Sequence, residues 1–389
     1  MKKIGIYLER KPNSGGAYQY CLAMLKSLSE LPTDKYEVTA YVMYHEWEAV
    51  TLNLGLRTVY AMKNGFEKVV YHLCEKLFKV ETCRKICPKI HPFGRAMKKD
   101  GIDYCIYPCA DKISFMMTVP AIVSVFDLMH RYLTDFPEIS SPEIYAQRER
   151  SYSNIARYAS LILTDSRVGC EQMIECYKEF LPNPENVVSL PYIAPDYVFD
   201  RAKKKKLPTL AQFGKYIYYP AQFWKHKNHA NLLKAIAELK DRDIQVNLVC
   251  SGTSKNGYDE TLLLIRELGL EWQVQILGYV DNEEVVALYQ NARALVMPTY
   301  GGPTNIPQLE AFALECPVAT SRIFGIPEQV GNAALLFDPG DVDEIADCIE
   351  RLWRDDALCK NLINKGKKKT AEWGQKQFKE KLEKYLSSL

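Results

Sequence analysis

A chain of 389 residues is longer than one ordinary core organises and suits two domains. Its 47% apolar and 25% charged residues give an ordinary globular balance, and a net charge of +2 excludes recruitment of nucleic acid by bulk electrostatics. The 12 cysteines include no Cys-x-x-Cys pair, Met1-Lys2-Lys3 leads straight into an apolar strand, and no window approaches the roughly 20 apolar residues of a membrane span, so the expectation is a cytoplasmic protein with reduced thiols.

In the first half, strands are expected at Lys3–Leu8, Tyr36–Met43, Asp103–Tyr107, Ala121–Phe126, Ser160–Thr164 and Val187–Leu190. Gly15-Gly16 follows the first strand and opens a helix. It is either a plain strand-to-helix turn or an anion pocket where backbone can approach a phosphate closely. Residues 66–99 carry nine Lys and Arg against Glu67, Glu75 and Glu81, with Phe66, Val69, Val70, Leu73, Leu77 and Phe78 at helical spacing. This stretch either faces the core or makes peripheral contact with the inner face of a membrane. Within it, Cys83, Cys87 and His91 have neither zinc-finger nor zinc-ribbon spacing, and no metal is expected. Asp127 and His130 follow the fourth strand, Ala121–Phe126, as polar groups that either hold the turn or face a ligand.

In the second half, strands are expected at Tyr216–Tyr219, Gln245–Cys250, Gln273–Leu277, Ala294–Met297, Pro317–Thr320 and Ala334–Phe337, with helices such as Asn231–Lys240, Asp259–Leu268 and Glu283–Ala292 between them. The alternation predicts an α/β protein of two parallel-sheet domains, with the ligand in the cleft between them. The basic run 201–206 marks the link. Expected boundaries are 1–198, a linker 199–212, 213–371, and a terminal helix 372–389 packing back on the first domain. Gln222, Lys225 and Lys227 follow one strand, and Asn228 can cap the next helix. Two ammonium groups beside a helix N-terminus suit a diphosphate, although loop lysines are also ordinary surface. Gly252 and the Gly278-Tyr279-Val280 turn end neighbouring strands, either as connections or as the wall of a base site.

The densest signal is 298–317, PTYGGPTNIPQLEAFALECP. A buried strand, a Gly/Pro loop and a helix follow one another, with Asn305 and Gln308 at capping-box spacing and Pro307 in the first turn. Amides around Thr304-Asn305-Ile306 point outward and favour a phosphate, and Glu310, one turn on, can accept hydrogen bonds from two sugar hydroxyls. Phosphate beside sugar describes a nucleotide-sugar.

This segment resembles the retaining family 4 glycosyltransferases of GT-B fold, two Rossmann-like domains facing a central cleft. Their signature is two glutamates eight positions apart. Glu310 matches the second, which the resemblance makes the ribose ligand, while Gly302 stands where the first contacts the donor sugar. Lys227 matches the family lysine on the phosphates; Gln222 stands in place of its arginine, with Lys225 as a candidate for the missing charge. Gly15 and Gly16 match glycines at the donor phosphates. Phe126 replaces a histidine near the transferred sugar, leaving Asp127 and His130 to orient or deprotonate an acceptor hydroxyl. Tyr279 and Val280 fall in the base-holding turn. The resemblance implies a metal-independent retaining hexosyltransferase with a nucleotide-diphosphate sugar as co-substrate. Its acceptor would be a saccharide or lipid-linked saccharide, in surface polysaccharide or lipopolysaccharide synthesis. Gly302, Gln222 and Phe126 keep open a degenerate nucleotide-sugar-binding protein, and the fold alone leaves open an epimerase.

Overall fold

The computed structural model describes residues 1–11, 15–62, 67, 69, 72–73, 78–199 and 213–389. The linker, apart from residue 199, and much of the basic segment before residue 78 therefore lie outside the described residues. The chain divides into two compact units. The first comprises Met1–Leu128, Pro142–Pro191 and Gln375–Leu389; the second, Met129–Ser141 and Tyr192–Gly374.

The first unit holds a seven-stranded parallel sheet: β1 (Lys2–Leu8), β2 (Tyr36–Val42), β3 (Arg57–Tyr60), β4 (Tyr104–Tyr107), β5 (Ala121–Ser124), β6 (Ala159–Thr164) and β7 (Val187–Ser189), in the order β3-β2-β1-β4-β5-β6-β7. The inner strands are continuous apolar runs because helices cover both faces. β3, RTVY, is the strand the apolar pattern misses; as an edge strand it has no face wholly buried. Chain order reverses between β1 and β4, so the sheet has a switch point there. The terminal segment is broken at 373–374, and the helix Gln375–Ser388 packs on Gly16–Ser29 through Phe378, Leu382 and Leu386, with Gln375 donating to Ser27 Oγ at 2.8 Å. The break parts the terminal segment from Trp373, whose indole N–H donates to the Tyr192 carbonyl in the second unit at 3.1 Å. At the amino ends of β4, β5 and β6 lies a cavity of about 1280 Å³, with Met97, Ile102 and Met117 in its wall and Arg84, Lys85, Lys89, Arg95, Lys98 and Lys99 around it.

The second unit holds six parallel strands: β8 (Tyr216–Pro220), β9 (Asn247–Ser251), β10 (Val274–Ile276), β11 (Ala294–Met297), β12 (Val318–Ser321) and β13 (Leu335–Phe337), ordered β10-β9-β8-β11-β12-β13. Tyr216–Tyr219 and Ala294–Met297 are buried along their lengths. Here the order reverses between β8 and β11, which places the carboxyl-end crevice between the loops 221–228 and 298–305. The sequence reading assigns 129–141 to the first domain. The structure places Met129–Ser141 in the second unit, because Glu138 and Phe136 are bound there: Glu138 to His226 and Asn256, Phe136 to Tyr300 at 5.7 Å between rings.

Candidate functional site

The two loops at the β8/β11 switch point are tied to each other by hydrogen bonds. After β8 the chain makes a short turn at Lys225–Lys227, and Asn228 takes the left-handed conformation (φ 57) that ends the turn and opens the helix His229–Asp241. The Asn228 Oδ1 accepts from Asn231 N at 3.3 Å, the cap the sequence suggests; its Nδ2 donates to the carbonyls of Pro298 (2.9 Å) and Pro339 (2.7 Å). The His226 carbonyl accepts from Tyr300 N at 2.8 Å. Lys227, half-buried, reaches across to donate to the Gly301 carbonyl at 3.4 Å. An ammonium group thus stands beside the loop that feeds the helix Ile306–Ala313.

That helix begins without the predicted capping box. Asn305 is its N-cap residue, but its side chain makes no cap bond. Gln329 holds the Asn305 backbone from both sides, accepting from its N–H at 3.0 Å and donating to its carbonyl at 2.8 Å. Gln308 turns into the core, where its Nε2 donates to Thr320 Oγ1 at 3.0 Å and its Oε1 is buried without a partner among the described residues. Tertiary partners thus override the local spacing. The consequence is chemical: no side-chain cap neutralises the positive helix end.

Glu310 lies one turn further on and is 8% exposed. Its carboxylate accepts from the hydroxyls of Tyr289, at 2.9 Å, and Tyr197. Burial raises its pKa above the usual carboxylate range, and the two tyrosine hydroxyls offset only part of that rise. Any sugar hydroxyl arriving here competes with two bonds already formed.

A second group went unnoticed in the sequence. Glu138, with a side chain only 5% exposed, accepts from His226 N at 3.1 Å and from Asn256 Nδ2 at 2.9 Å, and its Oε1 lies 2.9 Å from His226 Nδ1. Burial pushes Glu138 up, but the bonds from His226 and Asn256 outweigh it and hold the carboxyl below its usual range. This acid arrives from a segment some ninety residues away and had no local signal; it holds the turn that presents Lys227.

The other candidates divide. Gly252 (φ +148) sits where an added Cβ would meet the Ala221 carbonyl at 2.2 Å, and its N–H donates to the Gly278 carbonyl at 2.7 Å. Tyr279 is 75% exposed and Val280 half-buried at this end of the sheet. Thr304 is buried. Gln222 accepts from Trp224 Nε1 at 2.9 Å. The Lys225 ammonium pairs with Glu260 at 2.9 Å, which raises its pKa. In the first unit Gly15 (φ 70) is the N-cap of Gly16–Ser29, again with no side-chain cap bond. Asp127 is ion-paired to Arg148 at 2.5 Å. His130 is buried in the second unit, so the structure assigns these two neighbours to different units. Among the described residues no group of three His, Cys, Asp or Glu side chains could hold a metal ion.

Residues 200–369 match the family model for glycosyl transferases group 1. The match covers most of the second unit. The chain is similar to the O-antigen chain mannosyltransferase B of Escherichia coli, 30% identical over 243 residues, or 59% of this chain and 63% of the relative. The D-inositol 3-phosphate glycosyltransferase of Corynebacterium aurimucosum is 28% identical over 59% of this chain and 55% of its own. The chain thus spans less than two thirds of either curated relative. Over the whole length it is similar to the structure of Anabaena HepE in complex with UDP and glucose (TM-score 0.71, 16% identity, 100% of both chains). That likeness shows the GT-B fold.

Proposed function

We propose that this chain is a retaining glycosyltransferase. It moves a hexosyl group from a nucleotide-diphosphate sugar to a hydroxyl of a saccharide or lipid-linked saccharide, in surface polysaccharide synthesis. The observation that carries the reading is Lys227 reaching Gly301 beside an uncapped helix start, with Glu310 one turn along. Negative charge grows on the departing diphosphate as the glycosidic bond breaks. A preorganised ammonium and helix amides stabilise that charge, each such donor lowering the barrier by roughly 3 kcal/mol. Glu310 binds the ribose hydroxyls, with Tyr197 and Tyr289 holding its carboxylate in place. The departing phosphate oxygen takes the acceptor proton on the same face, so no side-chain nucleophile is required. The site works without a metal ion.

The mannosyltransferase and inositol-phosphate glycosyltransferase relatives support a polyhydroxylated acceptor. The cation-ringed cavity of the first unit supports an acceptor with an anionic, lipid-linked end and peripheral membrane contact. No described helix is long and apolar enough to cross a membrane. Calorimetry with a panel of activated sugars, followed by release of nucleoside diphosphate with and without saccharide acceptors, tests the reading. Binding, acceptor-dependent release in the presence of EDTA, and retained anomeric configuration by NMR are the expected results. The second reading, a donor-binding protein without turnover, is favoured by the pairing of Lys225 with Glu260. It predicts binding with no release on any acceptor.

A further inference from the structure

Asn305 stands at a helix start but turns its carboxamide away from the helix amides. Its backbone is fixed by Gln329, and its Nδ2 gives one long bond, 3.3 Å, to the Gly302 carbonyl. Among the described residues its Oδ1 accepts no hydrogen bond and its second amide hydrogen donates none. A carbon added at Gly302 would lie 2.5 Å from that Oδ1 and 3.0 Å from that Nδ2. The carboxamide therefore fills the space into which a side chain on residue 302 would project. The φ of +102 at Gly302 independently reserves that position for glycine. Residues 302 and 305 thus form one device: the first gives up its side chain, and the second supplies a neutral group that both donates and accepts.

We propose that Asn305 reads the hydroxyls of the transferred sugar and sets the donor preference of this enzyme. The inference rests on the donor-site reading above: with the diphosphate at the first turn of Ile306–Ala313, the sugar bonded to it lies against the 301–305 loop. A carboxamide meets a ring hydroxyl as donor or acceptor, whereas a carboxylate can only accept.

The test is calorimetry on the full chain with GDP, GDP-mannose, UDP and UDP-glucose, for the unaltered protein and for Asn305→Ala. The variant deletes a side chain with a single long bond and keeps the Gln329 contacts of the backbone. The preference for the activated sugar over its bare nucleoside diphosphate is expected to fall about tenfold, one hydrogen bond's worth, with affinity for the bare diphosphate within about twofold of unaltered. A donor lacking the hydroxyl that is read will bind the two proteins alike, which a merely structural role does not produce. An unchanged preference, or an equal loss for diphosphate and sugar nucleotide, overturns the inference. Failure of the unaltered protein to bind all four ligands overturns the donor-site reading itself, and this inference with it.

Discussion

The two sheets share one ordering, with the switch point between β1 and β4 in the first unit and between β8 and β11 in the second, yet the two crevices are chemically unlike. In the second, loops are cross-tied through Asn228 and His226 and present Lys227 beside an uncapped helix. In the first, the loop after β1 brings Arg10, whose Nε donates to Cys109 Sγ at 3.2 Å just past β4. A hydrogen bond from Cys21, opposed by burial and helped by Arg10, draws the Cys109 thiol down to about 7. Burial and the neighbouring Cys109 and Glu9 push Asp111 well up. One crevice keeps its cation at the mouth of a helix; the other spends its cation on a thiol. Topology sets where a ligand can sit, and side chains decide which ligand.

The largest effect should come from emptying the second crevice. Lys227→Ala and Glu310→Ala are each expected to lower donor affinity or turnover by more than about tenfold, whereas Arg10→Ala at the matching place in the first unit leaves nucleoside diphosphate affinity within about twofold. Calorimetry on the three variants decides it, and equal losses would dissolve the contrast between crevices.

A smaller effect concerns His229, directly behind Lys227. Burial first, then the charges of Lys227 and His226, push its imidazole down to about 3, and Phe223 stacks on it at 4.3 Å. The unfolded chain binds a proton near pH 6.5 that the folded chain refuses. Stability from this site is therefore complete above 6.5 and declines as pH falls toward 3, by about 1.4 kcal/mol per pH unit. Urea unfolding between pH 7 and 5 should show this slope, and His229→Phe should flatten it. The smallest effect belongs to Lys225→Ala: with its ammonium already paired to Glu260 at the surface, donor binding should change by less than about twofold. A loss comparable to Lys227→Ala would restore Lys225 to the phosphate site.

Much of the fold was legible because buried parallel strands are unbroken apolar runs, as at 216–219 and 294–297. Arg57–Tyr60 was not, since a half-exposed edge strand lacks that pattern. The Asn228 cap was legible from a local rule: a polar residue between a buried strand and a helix. Asn305 and Gln308 obeyed a local rule too, but Gln329, remote in sequence, holds the Asn305 backbone, the Asn305 carboxamide turns to the Gly302 carbonyl, and Thr320 takes the Gln308 side chain. Glu138, Tyr197 and Tyr289 reach the site through tertiary packing alone, and only the folded chain brings them there.

The excursion of Met129–Ser141 has a practical side. A contiguous fragment 192–374 would leave behind the acid that His226 and Asn256 both hold, so recombination at a single seam yields a module with a hole in its turn. Exchange of this module between relatives must move two stretches of gene at once, and chimeras joined only near residue 200 should accumulate as poorly soluble protein.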